Sequence, residues 1–285
     1  MGEERGDQIN SKRKRQSSSQ QTPSTSSRRP AQCSRRDLYL KGPLLGRGGF
    51  GSVFAGVHRS DGLPVDIKYV SNDPRETESC MFCPGYNGGF VLQDGQGRLP
   101  LEVALKTHIT SALACPSVLQ LLDWFDRPRR FVLILERPAP CQNLQGFCEN
   151  GCLDERLAKE VLVQLIVALK HFENHGILHR DIKPENLLIF TESQDIKLLD
   201  FSCGDLLKRS AYKYFAGTPA FAPPEWFSRH RYNATPATVR VTSRSRLTFP
   251  RSLSTECRQL IRWCLSAAPA DRSSLDDLER HPWLH

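Results

Sequence analysis

The run His179-Arg180-Asp181-Ile182-Lys183-Pro184-Glu185-Asn186 puts a carboxylate, an amine and an amide within eight residues. A second carboxylate follows nineteen positions after Asp181, in Asp200-Phe201-Ser202. Two carboxylates and an amide oxygen can supply one base and the ligands of a hard cation, which prefers oxygen donors. In that arrangement Asp181 takes or orients the proton of an attacking hydroxyl. Lys183 neutralises charge on a moving phosphoryl group, and Asn186 with Asp200 holds magnesium. A polar loop with turn-forming Asp and Asn would explain one such cluster. It would not explain this one together with the segments upstream.

Upstream stands Leu45-Gly46-Arg47-Gly48-Gly49-Phe50-Gly51-Ser52-Val53, a G-x-G-x-x-G run. Glycines let backbone N–H groups approach phosphate oxygens without a Cβ clash. The pattern alone is weak, because dinucleotide folds use the same letters in a strand–turn–helix setting. Here it lies between two predicted strands, and Phe50 and Val53 suit a flap over a base. Seventeen residues after Gly51 comes Lys68 in Val65-Asp66-Ile67-Lys68. A buried cation needs a partner, and Glu102 on a following helix is a candidate. A solvent-facing helix residue is the plainer reading of Glu102.

The elements that must position these groups fall into two halves. Short β-rich runs at Leu38–Gly46, Ser52–His58, Leu63–Val70, Leu119–Asp126 and Phe131–Glu136 are separated by turn residues. From Asp154 the period becomes helical, with Leu157, Val161, Leu165, Ala168, Leu169 and Phe172, and Gly176 at the stop. A strand-rich half followed by a helix-rich half predicts an α+β chain of two lobes. The glycine-rich segment 71–100 reads as a long loop insertion. It carries Cys80-x-x-Cys83, which lacks a second ligand pair for zinc and reads as two free thiols.

Composition limits the alternatives. The 285 residues include 39% hydrophobic and 25% charged types, enough for a packed core. The net charge of +8 is concentrated in residues 1–36, where nine Lys/Arg face three Asp/Glu. The body is nearly neutral, which counts against a nucleic-acid-binding fold. Residues 1–37, rich in Ser, Gln and Arg, are expected to be a disordered tail. Lys12-Arg13-Lys14-Arg15 within it could be a nuclear import signal or a solvated run of charge. No apolar stretch reaches the length of a membrane span, and no secretory signal is visible, so a cytoplasmic monomer with reduced cysteines is expected.

In this order the motifs resemble those of a protein kinase: G-x-G-x-x-G-x-V, Lys68, Glu102, H-R-D-x-K-x-x-N, D-F-S, and Pro223-Pro224-Glu225 in place of A-P-E. The closer resemblance is to the PIM family of serine/threonine kinases. It is carried by Leu122-Asp123-Trp124-Phe125, Leu133-Ile134-Leu135-Glu136-Arg137-Pro138, Pro223-Pro224-Glu225-Trp226 and Leu260-Ile261-Arg262-Trp263-Cys264-Leu265.

The resemblance implies a two-lobed kinase fold, with an N-lobe over 38–136 and a C-lobe over 139–285. It implies transfer of the γ-phosphoryl group of ATP, with Mg2+, to Ser/Thr hydroxyls of protein substrates. ATP would bind at Leu45 to Val53, Lys68 and the hinge residue Glu136. Lys68, Glu102, Asp181 and Lys183 would be catalytic, with Asn186 and Asp200 on the metal. Pro138 removes a hinge N–H donor. Residues 202–222 would form the activation loop, with Gly217-Thr218 near the acceptor hydroxyl, and Glu225 would pair with Arg272.

Four departures stand out. Asp66 replaces an alanine and shares a strand face with Lys68. Ser202 replaces the glycine of D-F-G. Asn143 and Gly146 stand where acidic residues would favour basic substrates, leaving Glu185. After Val239 the chain reads Arg240-Val241-Thr242-Ser243-Arg244-Ser245-Arg246 instead of a buried apolar helix. Roughly 25–30 residues are expected to be absent there, leaving the C-lobe incomplete. An impaired pseudokinase acting as a nucleotide-binding or scaffold module is therefore the alternative.

Overall fold

A computed structural model describes residues 38–49, 51–71, 90–93, 97–110, 115–151, 153–234 and 249–285. The tail with Lys12–Arg15, the tip residue Phe50, Cys80 and Cys83, and the segment 240–246 lie outside these described residues. Leu38–His285 form one compact unit.

Five antiparallel strands make the first sheet: β1 (Tyr39–Gly48), β2 (Gly51–His58), β3 (Pro64–Ser71), β6 (Leu121–Arg127) and β7 (Arg130–Glu136). Their order is β1-β2-β3-β7-β6. Alternation along β3 sends Val65 and Ile67 to one face, where they pack with Ile134. Its other face meets α1 (Leu101–Thr110), whose Val103 packs with Leu133 and Leu135 of β7. Lys68 and Asp66 share that α1-facing side, opposite Leu133 and Leu135 in the register. The segment read as one loop over 71–100 ends differently: β4 (Phe90–Gln93) and β5 (Gly97–Pro100) pair as a hairpin directly before α1. Gly97, one of the glycines that suggested an open loop, is the first residue of β5.

After a short α2 (Leu144–Glu149), the second half is built around α3 (Glu155–Asn174). Asp154 caps it by accepting from the Leu157 N–H at 2.7 Å. Gly176, at φ 66°, ends it in the left-handed region that favours glycine. Leu157, Val161, Leu169 and Phe172 of α3 share a core with Leu260 of α5 (Thr255–Cys264) and Leu275 and Leu278 of α6 (Leu275–Glu279). Glu155 ties this end together, accepting from Trp283 Nε1 at 2.7 Å and from the Ser254 N–H and hydroxyl.

The hairpin β10 (Leu187–Phe190) and β11 (Ile196–Leu198), with β8 (Cys141–Asn143) paired to β10 and the short β9 (Ile177–Leu178) just before the loop, positions the polar cluster. The 179–186 loop enters β10, and Asp200 follows β11 by two residues. The Leu199 N–H donates to Asn186 O at 2.8 Å, and His179 Nε2 donates to Leu199 O at 2.8 Å. Those bonds hold the loop and the Asp200 segment side by side.

Between α3, α5 and α6 lies an apolar cavity of about 560 Å3. Leu162, Leu165, Ile182, Leu253, Ile261, Cys264 and Trp283 are among its lining residues.

Candidate active site

Lys68 lies at the centre. Its Nζ donates to Glu102 Oε2 at 2.7 Å, to Asp200 Oδ1 at 2.6 Å and to Ser202 Oγ at 2.9 Å. All three ammonium protons are therefore used. Burial alone would lower the Lys68 pKa, but the carboxylates of Asp200 and Glu102 raise it above its ordinary value. Burial likewise pushes Asp200 upward, and Lys68 overcomes it, holding that carboxyl far below the usual carboxylate range. Both groups are thus ionised at neutral pH. Glu102 is buried and paired, so it is not the solvent-facing helix residue of the plainer reading.

Asp181 is also buried. Its Oδ1 accepts from the Thr218 N–H at 2.8 Å, and its Oδ2 accepts from Asn186 Nδ2 at 3.0 Å. Lys183 Nζ stands 3.2 Å from Oδ2 and donates to Thr218 Oγ1 at 2.6 Å. The amine thus spans the carboxylate and a hydroxyl of the following segment. Gly217, at φ 130°, makes this approach possible, because a Cβ there would sit 2.5 Å from Arg180 O.

The donor set fits magnesium. Asn186 gives its amide N–H to Asp181, which leaves Oδ1 as a neutral oxygen donor. Asp200 bonds Lys68 and Ser202 through Oδ1, and its Oδ2 has no hydrogen bond among the described residues. No group of three or more His, Cys, Asp or Glu gathers as a metal cage among the described residues. A few oxygen donors suit magnesium, which keeps waters and takes phosphate oxygens from a nucleotide.

At the glycine-rich turn, Gly46, Arg47, Gly48 and Gly49 are exposed on β1 and the turn after it. Gly51 begins β2 at φ 138°, where a Cβ would lie 1.9 Å from Tyr69 O. Only glycine lets the turn lie this close to β3. Leu45 is exposed, while Ser52 and Val53 are half-buried. The Glu136 side chain, by contrast, accepts from Lys197 Nζ at 2.7 Å and the Gln120 N–H at 2.8 Å. Its carboxylate fastens the strand end; a nucleotide base would have to be read by backbone groups.

The structure places the departures too. Asp66 does not join Lys68; Arg137 Nε lies 3.5 Å from its Oδ1, a charge contact without a hydrogen bond. Burial raises the Asp66 pKa to about 6, only partly opposed by Arg137. Ser202 Oγ contacts Lys68, Glu102 and Asp200 together.

Other participants have no conspicuous sequence signal. Arg180 donates to the carbonyls of Cys203 and Gly204 and stands 3.4 Å from Asp205, tying the 179–186 loop to the segment after Asp200. Lys106 is buried, donates to Leu119 O at 2.7 Å and stands 4.8 Å over the Phe201 ring. Burial lowers its pKa to about 8. Its spacing of four residues from Glu102 on one helix was the signal available. Arg180 was legible only as the middle letter of its motif.

The family model for the protein kinase domain matches residues 39–239. The chain belongs to the protein kinase family. It is 38% identical to the serine/threonine-protein kinase pim-2 of Danio rerio, over 86% of this chain and 84% of that relative. It is 30% identical to the serine/threonine-protein kinase prk-2 of Caenorhabditis elegans, over 84% of this chain and 56% of that one. The mouse PAS domain-containing serine/threonine-protein kinase is 28% identical, with only 18% of its length covered. Within the kinases, the chain is therefore PIM-like, as its motifs suggested.

The pim-2 alignment is 272 positions long but takes in 86% of 285 residues, about 245. About 27 of its positions thus lack a residue in this kinase. The stretch after Val239, where roughly 25–30 residues are expected to be absent, lies outside the described residues.

Proposed function

We propose that this kinase transfers the γ-phosphoryl group of ATP, with Mg2+, to serine or threonine hydroxyls of protein substrates. The observation that carries this reading is the double use of one cleft. Lys68, Glu102 and Asp200 form one hydrogen-bonded cluster, and Asp181, Lys183 and Asn186 form another, bound to it through the Leu199 bonds.

Lys68, held on Glu102, exchanges its bond to Asp200 or Ser202 for one to the nucleotide phosphates and orients them against the β1–β2 turn. Asn186 Oδ1 and Asp200 Oδ2 would hold magnesium, which supplies charge neutralisation on the phosphates. Asp181 orients the acceptor hydroxyl and receives its proton, for which it must exchange one of its present hydrogen bonds. Lys183 remains beside the transferred group and offsets its charge. The Thr218 N–H fixes the Asp181 carboxylate relative to the segment where substrate would lie. Glu185 is the acidic residue left to favour a basic side chain in the substrate.

The test is phosphate transfer from labelled ATP with Mg2+ to an Arg-rich Ser/Thr peptide. Asp181→Asn should lower kcat on the order of 10²–10⁴-fold, the usual range for a lost general base. Transfer that is unaffected by this substitution would reject the assignment.

One observation favours a second reading, an impaired kinase that binds nucleotide as a scaffold. The cavity between α3 and α5 reaches Ile182 of the 179–186 loop, which the described residues cover only in part on that side. Nucleotide binding without any Asp181-dependent transfer by the folded chain would select this reading.

A further inference from the structure

We propose that Ser202 is a positioning residue that clamps α1 to the Asp200 segment before nucleotide arrives. This rests on the phosphoryl-transfer reading for its purpose, but not for its geometry.

The hydroxyl sits at the one point shared by three elements. It contacts Lys68 on β3, Glu102 on α1 and Asp200 after β11. It accepts from the Lys68 ammonium. Its single proton has two carboxylate oxygens within reach, Asp200 Oδ1 and Glu102 Oε2. Glu102 depends on this arrangement, because its other oxygen, Oε1, is buried without a hydrogen-bond partner. Everything that holds the Glu102 carboxylate thus converges on Oε2, through Lys68 and Ser202.

A glycine at 202 would leave Lys68 alone to bridge two carboxylates on separate elements. Asp200 could then draw the ammonium away from Glu102, and α1 could move off the sheet. Ser202 removes that choice by bonding both carboxylates.

The neighbouring residue acts on the same helix. The Phe201 ring lies under the Lys106 ammonium, one helical turn beyond Glu102. Two consecutive residues after Asp200 therefore grip two successive turns of α1. The Ser202 N–H also donates to Asp200 Oδ1 at 3.2 Å, which fixes the angle between clamp and carboxylate.

Hydrogen–deuterium exchange of the nucleotide-free full chain tests this. Ser202→Gly and Ser202→Ala should speed exchange of the amides in 101–110 about tenfold or more, the effect of losing a hydrogen bond to a charged group. Exchange over 155–174 should stay unchanged. Ser202→Thr, which keeps the hydroxyl, should retain the protection. In a Glu102→Gln background, Ser202→Ala should add little, because the two residues act through one contact. Unchanged exchange in 101–110, a uniform rise across the chain, or additivity with Glu102→Gln would overturn the proposal. Loss of protection in Ser202→Thr equal to that in Ser202→Ala would do the same. A chain that passes this test yet transfers no phosphate would refute only the catalytic reading.

Discussion

Arg272 grips Glu225 with both terminal nitrogens, Nη2 to Oε2 at 2.6 Å and Nη1 to Oε1 at 3.2 Å. Both residues are buried, and Arg272 Nε also donates to Ser266 O at 3.1 Å. The pair joins α4 (Pro224–Arg229), at the end of the activation segment, to the helices that close the chain. Removing one partner of a buried pair strands the other charge, at a cost of about 3–5 kcal/mol. Arg272→Ala should therefore lower the melting temperature by many degrees or abolish soluble expression. Arg272→Lys should fall between, because lysine cannot form the fork. An unchanged melting curve for Arg272→Ala would show that the pair contributes nothing.

Asp66 gives a pH dependence. Its folded pKa of about 6 lies above the ordinary 3.8, so the folded protein holds the proton more tightly than the unfolded chain. Stability is then gained as pH falls from about 6 towards 3.8, and is lost again as pH rises through 6. Melting temperatures measured between pH 4 and 8 should show this component in the parent chain and lack it in Asp66→Ala. The same substitution should tighten ATP binding several-fold at pH 7.5, since it takes a carboxylate out of the cleft. Equal or weaker affinity would contradict the assignment.

Gly217 sets the distance between the 179–186 loop and the segment that carries Thr218. Gly217→Ala would drive a Cβ to 2.5 Å from Arg180 O and would also strain a backbone at φ 130°. The displaced Thr218 would lose its bonds to Asp181 and Lys183. We expect kcat to fall at least about tenfold, with a smaller change in the KM for ATP, as misplacement of catalytic groups costs rate first. Steady-state kinetics on the purified variant would settle the point.

The apolar cavity should be measurable in solution. A polarity-sensitive dye should fluoresce in the presence of the folded chain, as it does with proteins that expose apolar surface. Ala158 lines the cavity, and Ala158→Leu should reduce that signal while raising stability by about 0.5–2 kcal/mol. A variant that leaves both dye signal and melting temperature unchanged would mean that the cavity is filled in solution.

Much of this kinase was legible one residue at a time. Glycine runs, the H-R-D block and D-F-S are local constraints: a phosphate turn needs missing Cβ atoms, and a hard cation needs oxygen ligands. The five long strands and α3 were readable from hydrophobic period and turn residues. The shortening after Val239 was inferred from polar residues where an apolar helix was expected, in a stretch outside the described residues. The β4–β5 hairpin was not legible, because its four-residue strands are too short for a period and lie in a glycine-rich stretch.

Tertiary structure alone decided how the charges are paired. The sequence by itself offered Lys68 two carboxylate neighbours, Glu102 and the strand-mate Asp66, and left the choice open. Only the packing of α1 and the Asp200 segment against β3 brought Glu102, Asp200 and Ser202 within hydrogen-bond distance and left Asp66 to Arg137. The reason is physical. Hydrophobic period is a property of one segment, whereas an ammonium takes whichever oxygens the folded chain brings within about 3 Å of it.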